Sequence, residues 1–381
     1  MQVYADNAAT TKICPRAMEA MVSCMESCYA NPSSLHSLGR QARKRLEEAR
    51  TAAAQCLGCG AREIFFTSGG TEADCQAILT AAALGEKQGK THLITTAFEH
   101  PAVLNTVKKL ESRGFTATYL PIDPKTHNIN PGELQKAIRR DTCLVSAMYV
   151  NNEIGSVLPI AALGTICRQA QVLFHVDGVQ AAGKLPSRLG ELPVDFLSIS
   201  GHKFHGPKGV GALYVRKGLE LTSILEGGSQ ERGKRPGTEN LPGICGMAAA
   251  LEDACEHMEE NRSRLEQLHG RLVSGLSEIP GGHFNGDREQ FLPGIVNISF
   301  EGIEGETLLV LLDSMGICAS AGSACSSGSM EPSHVLLALG RSRELARGSL
   351  RLSLDGQNTP EEVDYLIEKI QAAVNQLRAW S

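Results

Sequence analysis

An acid, an amide, a hydroxyl, an imidazole and an amine stand close together in this sequence: Asp177, Gln180, Ser200, His202 and Lys203. A lysine amine can hold an aldehyde as a Schiff base, and a carboxylate can keep a pyridine nitrogen protonated. A protonated ring accepts electrons from a substrate carbanion. Pyridoxal 5'-phosphate (PLP) is the cofactor that needs both groups. On this reading Lys203 is the Schiff-base residue and Asp177 the pyridinium partner. Gln180 suits the ring phenolate oxygen, and Ser200 and His202 suit the phosphate. The competing reading is an ordinary α/β core with a salt-bridged aspartate and a surface lysine, but buried strands rarely end in so many ionisable groups.

Two apolar runs, residues 172–176 and 194–199, have the length and composition of buried strands and must position this set. Each run ends in polar residues, and ligands in open α/β sheets sit at the carboxyl ends of strands. Residues 64–67 predict a further strand, followed by Ser68-Gly69-Gly70-Thr71-Glu72 and a helix. A glycine pair there lets backbone amides approach an anion at a helix N-terminus, which suits the cofactor phosphate. A strand at 93–96 precedes His100, which is placed to stack on a flat cofactor and act as acid or base; a helix-capping or core histidine is the alternative. A strand at 144–150 runs into Asn151, a candidate for the substrate carboxylate or the ring. Residues 209–215 read as a strand closing the sheet.

Residues 227–237, GGSQERGKRPG, have the composition of a solvated loop. A long helical region from about 244 to 279 then leads to strand signals at 295–300 and 349–354, the pattern of a small α+β lobe. The boundary is placed near Met258. Within that lobe Cys325 lies among alanines, glycines and serines, a composition that predicts an exposed loop and a reactive thiol. Arg351 alternates with apolar neighbours in SLRLSL and is a candidate for gripping a carboxylate bidentately.

Composition narrows the class. The chain has 381 residues, 42% of them hydrophobic, and a net charge of −5 with no basic block, which argues against nucleic acid or an anionic membrane as partner. No apolar run approaches the roughly 20 residues of a membrane span, and the N-terminus lacks the marks of a secretory signal. The twelve cysteines therefore read as free thiols in a reducing compartment, the cytoplasm. Cys56 and Cys59 form a lone CxxC spacing with no second pair, and no metal site is expected there or elsewhere.

The motifs YADNAATT, NPSSLHSLGR, TSGGTEAD, EHPAV, NNEIG, HVDGVQAAGK, SGHKFHGPKGVGALYV, GTEN, GSACSSGS with EPSHVLLALG, and SLRLSL run nearly end to end. On these the chain resembles the cysteine desulfurases of the class V aminotransferase group, of the NifS/IscS type. The resemblance implies PLP fold-type I: a large domain, 16–258, with a mostly parallel seven-stranded sheet, and a small α+β domain made of 1–15 and 259–381. It implies a homodimer with active sites near the subunit interface. It implies that Lys203 holds the cofactor aldehyde, Asp177 meets the pyridinium nitrogen, Gln180 meets the phenolate oxygen and His100 stacks on the ring. Gly70, Thr71, Ser200 and His202 would hold the phosphate, joined by Thr238 from the partner subunit. Asn151 and Arg351 would bind the substrate carboxylate. L-cysteine would become L-alanine, with its sulfur left as a persulfide on Cys325 for an acceptor protein of iron–sulfur assembly or tRNA thiolation. A selenocysteine lyase or small aminotransferase on the same fold is the enzymatic alternative, and a catalytically silent scaffold the non-enzymatic one. One position departs from the family pattern: Cys75 stands where asparagine is usual.

Overall fold

The computed structural model describes residues 1–322 and 331–380. Its strands are β1 (Val3–Tyr4), β2 (Ile64–Thr67), β3 (His92–Thr96), β4 (Thr116–Leu120), β5 (Thr142–Met148), β6 (Leu173–Asp177), β7 (Phe196–Ser200), β8 (Gly211–Val215), β9 (Gly282–Asn285), β10 (Ile295–Phe300), β11 (Ile317–Cys318) and β12 (Ser349–Ser353). Seven of them form one sheet in the order β2-β8-β7-β6-β5-β3-β4. Only β8 runs against its neighbours, and the other pairings, β7-β6-β5-β3-β4, are parallel.

Side-chain alternation explains how both faces of this sheet are covered. In β8, Ala212 and Tyr214 join a core with Phe174, Val176, Leu197 and Ile199. Leu213 and Val215 point the other way, to a core with Phe196, Leu144 and the alanines of the Gly70–Glu86 helix. The first face is closed by the helices Pro15–Ser27, Ser37–Leu57 and Leu241–Glu256. A sheet buried on both faces needs near-continuous apolar strands, which is why β2, β3, β5, β7 and β8 are so legible in the sequence. β4 carries the sequence TATYL at the sheet edge, is mostly half-exposed, and has no apolar run to announce it.

A three-stranded antiparallel sheet, β12-β10-β9, packs its own core against the Met258–Ser277 and Pro360–Trp380 helices. The helical region expected over 244–279 is two helices that break at His257. β1 pairs in parallel with β11, so the chain starts beside the small sheet before crossing to the large one. The crossing is tight. Asp6 bridges to Ser353, the Ala8 N–H donates to Ser353 Oγ at 2.8 Å, and the Thr11 N–H donates to the His202 carbonyl at 2.9 Å. Residues 6–11 thus form a wedge between the two sheets.

Candidate active site

A cavity of about 210 Å³ opens where β5, β6 and β7 end. It brings together Gly70, Thr71, His100, Asp177, Gln180, Ser200, His202, Lys203 and Arg351. Asp177 is the last residue of β6 and Ser200 the last of β7, and the two strands are parallel neighbours. Lys203 follows one short turn later, and its Nζ donates to the carbonyls of Ala8 (2.6 Å) and Ala9 (2.8 Å). Gln180 Nε2 donates to the same Ala8 carbonyl at 2.8 Å. The N-terminal wedge therefore holds both side chains from the small-sheet side.

The glycine turn is shaped for an anion. A Cβ on Gly70 would stand 2.6 Å from Val179 Cγ2, so only glycine fits the approach of this helix to the β6 exit. The first-turn N–H groups of the Gly70–Glu86 helix have no intrahelical acceptors and sit at its positive end. Glu72 ties the turn down from behind: its carboxylate accepts from the Ser68 N–H and from Arg235 Nε, both at 2.9 Å.

The floor of the cavity is a buried layer that the sequence motifs contained but did not reveal. His175 lies two residues before Asp177 and so on the same face of β6. Its Nδ1 meets Ser146 Oγ of β5 at 2.8 Å and its Nε2 meets Ser198 Oγ of β7 at 3.0 Å. Asp74, one turn into the glycine-turn helix, places Oδ1 3.4 Å from His175 Nε2. This contact is not an ion pair. Burial pushes Asp74 up to about 7 and His175 down to about 4, and both shifts favour the neutral forms. Asp177 accepts from the Val179 N–H at 2.9 Å. Burial first and Asp74 second push it up to about 6, with His100 pulling the other way. Glu99 is fully buried beside this group, accepts from Thr96 Oγ1 (2.5 Å) and the Met148 N–H (3.0 Å), and is pushed up to about 8, chiefly by burial.

His100 is the capping histidine considered for it, and it also faces the cavity. It caps the Pro101–Glu111 helix, with Nδ1 accepting from the Ala102 N–H at 3.1 Å, and it lines the cavity. Burial and the nearby Lys203 and His334 lower its pKa, against Asp177, so the ring is neutral at neutral pH. An accepting Nδ1 leaves the remaining proton on Nε2. His202 meets Thr10 Oγ1 at 3.2 Å and is lowered to about 4 by burial and by Lys203.

Arg351 is 1% exposed in the middle of β12. Its Nη2 donates to Asp6 Oδ1 at 2.8 Å and its Nη1 to the Asn152 carbonyl at 3.0 Å, while Nε has no acceptor among the described residues. Asn151 does not join the lining. Its side-chain oxygen accepts from the Glu153 and Ile154 N–H groups, and its Nδ2 donates to the Phe98 carbonyl, so the side chain is committed to the turn and Asn152 faces the cavity instead. Thr238 is exposed and outside its own chain's cavity. Cys325 lies outside the described residues. On either side of that stretch, Ser320 Oγ donates to Asp6 Oδ1 (2.9 Å) and Ser333 Oγ to Glu153 (2.5 Å), so both borders stand next to Arg351 and its supports. Cys75 turns away from the cavity, its Sγ 3.2 Å from Thr106 Oγ1.

Residues 227–237 are mostly exposed, as a solvated loop should be, but one side chain anchors them. Glu231 is buried and grips Arg50 with two hydrogen bonds, of 2.6 and 2.8 Å, and also accepts from the Phe66 N–H at 2.9 Å. Among the described residues, no cluster of His, Cys, Asp or Glu has the arrangement of a metal site, and no helix is long and apolar enough to cross a membrane.

The donor set fits PLP. A lysine amine, a buried acid with one hydrogen bond, a neutral imidazole and a helix-start anion cradle converge on one cavity, and among the described residues no cation is seen in an ion pair with the acid. The sequence profile of the family described as Aminotransferase class-V matches residues 3–366. A protein of Methanosarcina thermophila named cysteine desulfurase IscS is 49% identical over all of this chain and 93% of its own length. One of Trichormus azollae named cysteine desulfurase is 46% identical over all of this chain and 94% of its own. A solved structure titled NifS-like protein superposes with a TM-score of 0.92 at 42% identity, covering 98% of this chain and 100% of the other. Another, titled SspA in complex with cysteine, gives 0.81 at 34%, covering 94% and 100%. A seven-stranded, mostly parallel sheet with this cavity at its strand ends, matched over the whole length in sequence and structure, makes the chain a member of the class-V aminotransferase family, among its NifS/IscS-type cysteine desulfurases.

Proposed function

We propose that the protein is a PLP-dependent enzyme that removes sulfur from L-cysteine, leaves L-alanine, and passes the sulfur on from Cys325. The observation that carries the reading is the meeting of Lys203, Asp177, His100 and Arg351 in one cavity. The bound cofactor supplies an electron sink for the bond broken at the substrate Cα. Lys203 would hold the cofactor aldehyde, and its amine is the base placed to take the substrate Cα proton. Asp177 is held ionised when a pyridinium stands beside it, because an adjacent cation outweighs the burial that now raises its pKa. Gln180 faces the phenolate oxygen, and Gly70, Thr71, Ser200 and His202 hold the phosphate. Arg351 binds the substrate carboxylate through Nε and the edge it shares with Asp6. The proton on His100 Nε2 and the vacant lone pair it becomes serve the substrate thiol. Sulfur transfer is a thiolate displacement: the Cys325 Sγ bonds the substrate sulfur, the C–S bond breaks, and the electron pair and a proton end on the alanine carbon. Asn151 acts by shaping the turn that presents Asn152.

The dimer belongs to the same proposal. Met18, Val22, Met25, Tyr29, Leu35 and Leu38 are exposed within one stretch of chain, Tyr29 at 73% and Leu35 at 87%, and a second copy is the occupant that would cover them. Thr238 is then free to reach the partner's phosphate site. The domains divide near Met258, in line with the break at His257, giving 16–258 and 1–15 with 259–381. The described cysteines are all free thiols, which supports a cytoplasmic setting. The acceptor is a protein of iron–sulfur assembly or tRNA thiolation.

The test pairs Lys203→Ala with Cys325→Ser. Lys203→Ala should release no alanine from cysteine. Cys325→Ser should keep the PLP absorbance and Cα-deuterium exchange yet release almost no alanine, since a hydroxyl is a poor nucleophile toward sulfur. Parent-rate alanine release from either variant would sink the assignment. Sedimentation read at the PLP absorbance tests the dimer, and a stable monomer with full PLP would remove Thr238 from its role.

A further inference from the structure

A larger cavity, of about 290 Å³, lies on the other side of the N-terminal wedge, and Ala8 lines both. We infer that this interlobe cavity is a binding site for a small carboxylate with an apolar body. The inference is independent of the desulfurase reading. The apolar wall comes from both lobes: Phe204, Ala250 and Ala254 from one, Leu265, Leu292 and Leu354 from the other. The volume is near the lower end of small-molecule sites, about 300 Å³.

Charge selects the ligand's sign. Lys184 reaches into this cavity, and its Nζ makes one hydrogen bond, to Gln180 Oε1 at 3.2 Å. An ammonium has three donors, and no carboxylate of the described residues stands within ion-pair distance of this one. Arg264, which is exposed, uses one N–H on the Asn358 carbonyl (2.9 Å) and likewise has no carboxylate partner among the described residues. Three acids stand in the lining: Glu260 is exposed to solvent, and the other two are engaged. Asp253 faces His257 Nδ1 at 3.7 Å, and Asp355 accepts from the Gln357 N–H at 2.8 Å with His205 Nε2 at 3.9 Å. A half-buried lysine and an exposed arginine, neither of them ion-paired among the described residues, stand beside an apolar wall and suit an anion with a hydrocarbon part. Burial, with Lys203 adding to it and Asp355 pulling the other way, lowers Lys184 to about 7, so an arriving carboxylate restores the charge the cavity suppresses.

The site is wired to its neighbour. Lys184 donates to Gln180, Gln180 donates to the Ala8 carbonyl, and Lys203 donates to that same carbonyl at 2.6 Å. A carboxylate that draws Lys184 off Gln180 therefore changes the amide that faces the candidate active site.

Calorimetric titration of octanoate into the purified holoenzyme tests the site, with octanol and octylamine as charge controls. Octanoate should saturate at one site per chain and bind at least about tenfold more tightly than either control, the size of one charge-assisted hydrogen bond. Lys184→Gln should weaken octanoate by a similar factor, Lys184→Arg should retain it, and Ala254→Phe, which fills the wall, should abolish it while PLP content stays at the parent level. No saturation at millimolar octanoate, equal binding of octanol, tighter binding of octylamine, or an unaffected Lys184→Gln would each overturn the inference. A cofactor absorbance shift on octanoate addition reports the coupling, and its absence with binding intact would overturn the coupling alone.

Discussion

Two groups of buried acids in this molecule are handled in opposite ways. Glu231 is paired: Arg50 donates to both its oxygens, the Phe66 N–H adds a third bond, and Arg50 also lies 4.7 Å over the Phe66 ring. Asp74, Glu99 and Asp177 lie in the floor of the candidate active site with serines, threonines and backbone amides, and among the described residues no arginine or lysine is bound to their carboxylates. Burial raises all three, to about 7, 8 and 6. Around Glu231 the fold supplies its own counter-ion and so locks a loop onto β2. Beneath the cavity no such counter-ion is bound among the described residues, and burial pushes the three acids toward their neutral forms. The paired acid even supports strain: Glu231 and Arg232 both take left-handed backbone, with φ of 46° and 60°, at a cost of about 1–3 kcal/mol each.

The sharpest way to break this contrast is to remove one acid from each group. Glu231→Ala leaves Arg50 buried without its partner and should cost about 3–5 kcal/mol of stability, measured by urea unfolding. Asp74→Asn should cost little or nothing by the same measurement, because no cation loses a partner. Equal losses would mean the two groups are not different in kind.

Asp177→Ala should reduce alanine release and Cα-deuterium exchange roughly 10²- to 10³-fold, the effect of deleting a preorganised charge partner. Stability of the cofactor-free protein should hold or rise, since a buried acid without a counter-ion goes with it. A parent-like exchange rate would show that the ring does not depend on this carboxylate.

Glu99→Gln sharpens the comparison through pH. The folded pKa of Glu99 is raised from 4.5 to about 8, so between those values the folded protein holds a proton that the unfolded chain has lost. Its contribution is complete below pH 4.5 and is lost as pH climbs to about 8. The Gln variant lacks this loss, so its stability should gain on the parent steadily across that window and level off above it. Paired unfolding curves from pH 5 to 8, roughly the window that linkage defines, check this, and a pH-independent difference would mean the carboxyl is ionised throughout.

The smallest effect is expected at Cys75. Its thiol meets Thr106 between two helices and not the phosphate end of the cavity, so Cys75→Asn should leave PLP affinity within about 0.5 kcal/mol. A marked tightening in an equilibrium titration would show that the thiol weakens the cradle from a distance.

The sequence by itself determined where strands end and what stands there. β2, β7 and β10 lie within a residue or two of their expected positions, and Asp177, Ser200, His202 and Lys203 converge as their places after β6 and β7 require. Such strands are legible because a sheet covered on both faces must be apolar along its length, and polar residues can then only collect at the exits. The tertiary structure alone decided three other things. β4 and β9 are edge strands whose half-exposed residues carry no period strong enough to read. Asn152 rather than Asn151 lines the cavity because the Asn151 side chain is captured by two backbone amides of its own turn. Glu231, in a stretch that reads as solvated, finds Arg50 from a helix far away in sequence. The edge strands and the Glu231–Arg50 pair depend on partners distant along the chain, and contacts between such residues leave no spacing in the sequence to mark them; the Asn151 capture is local, but two adjacent asparagines do not say by their type which one the turn takes.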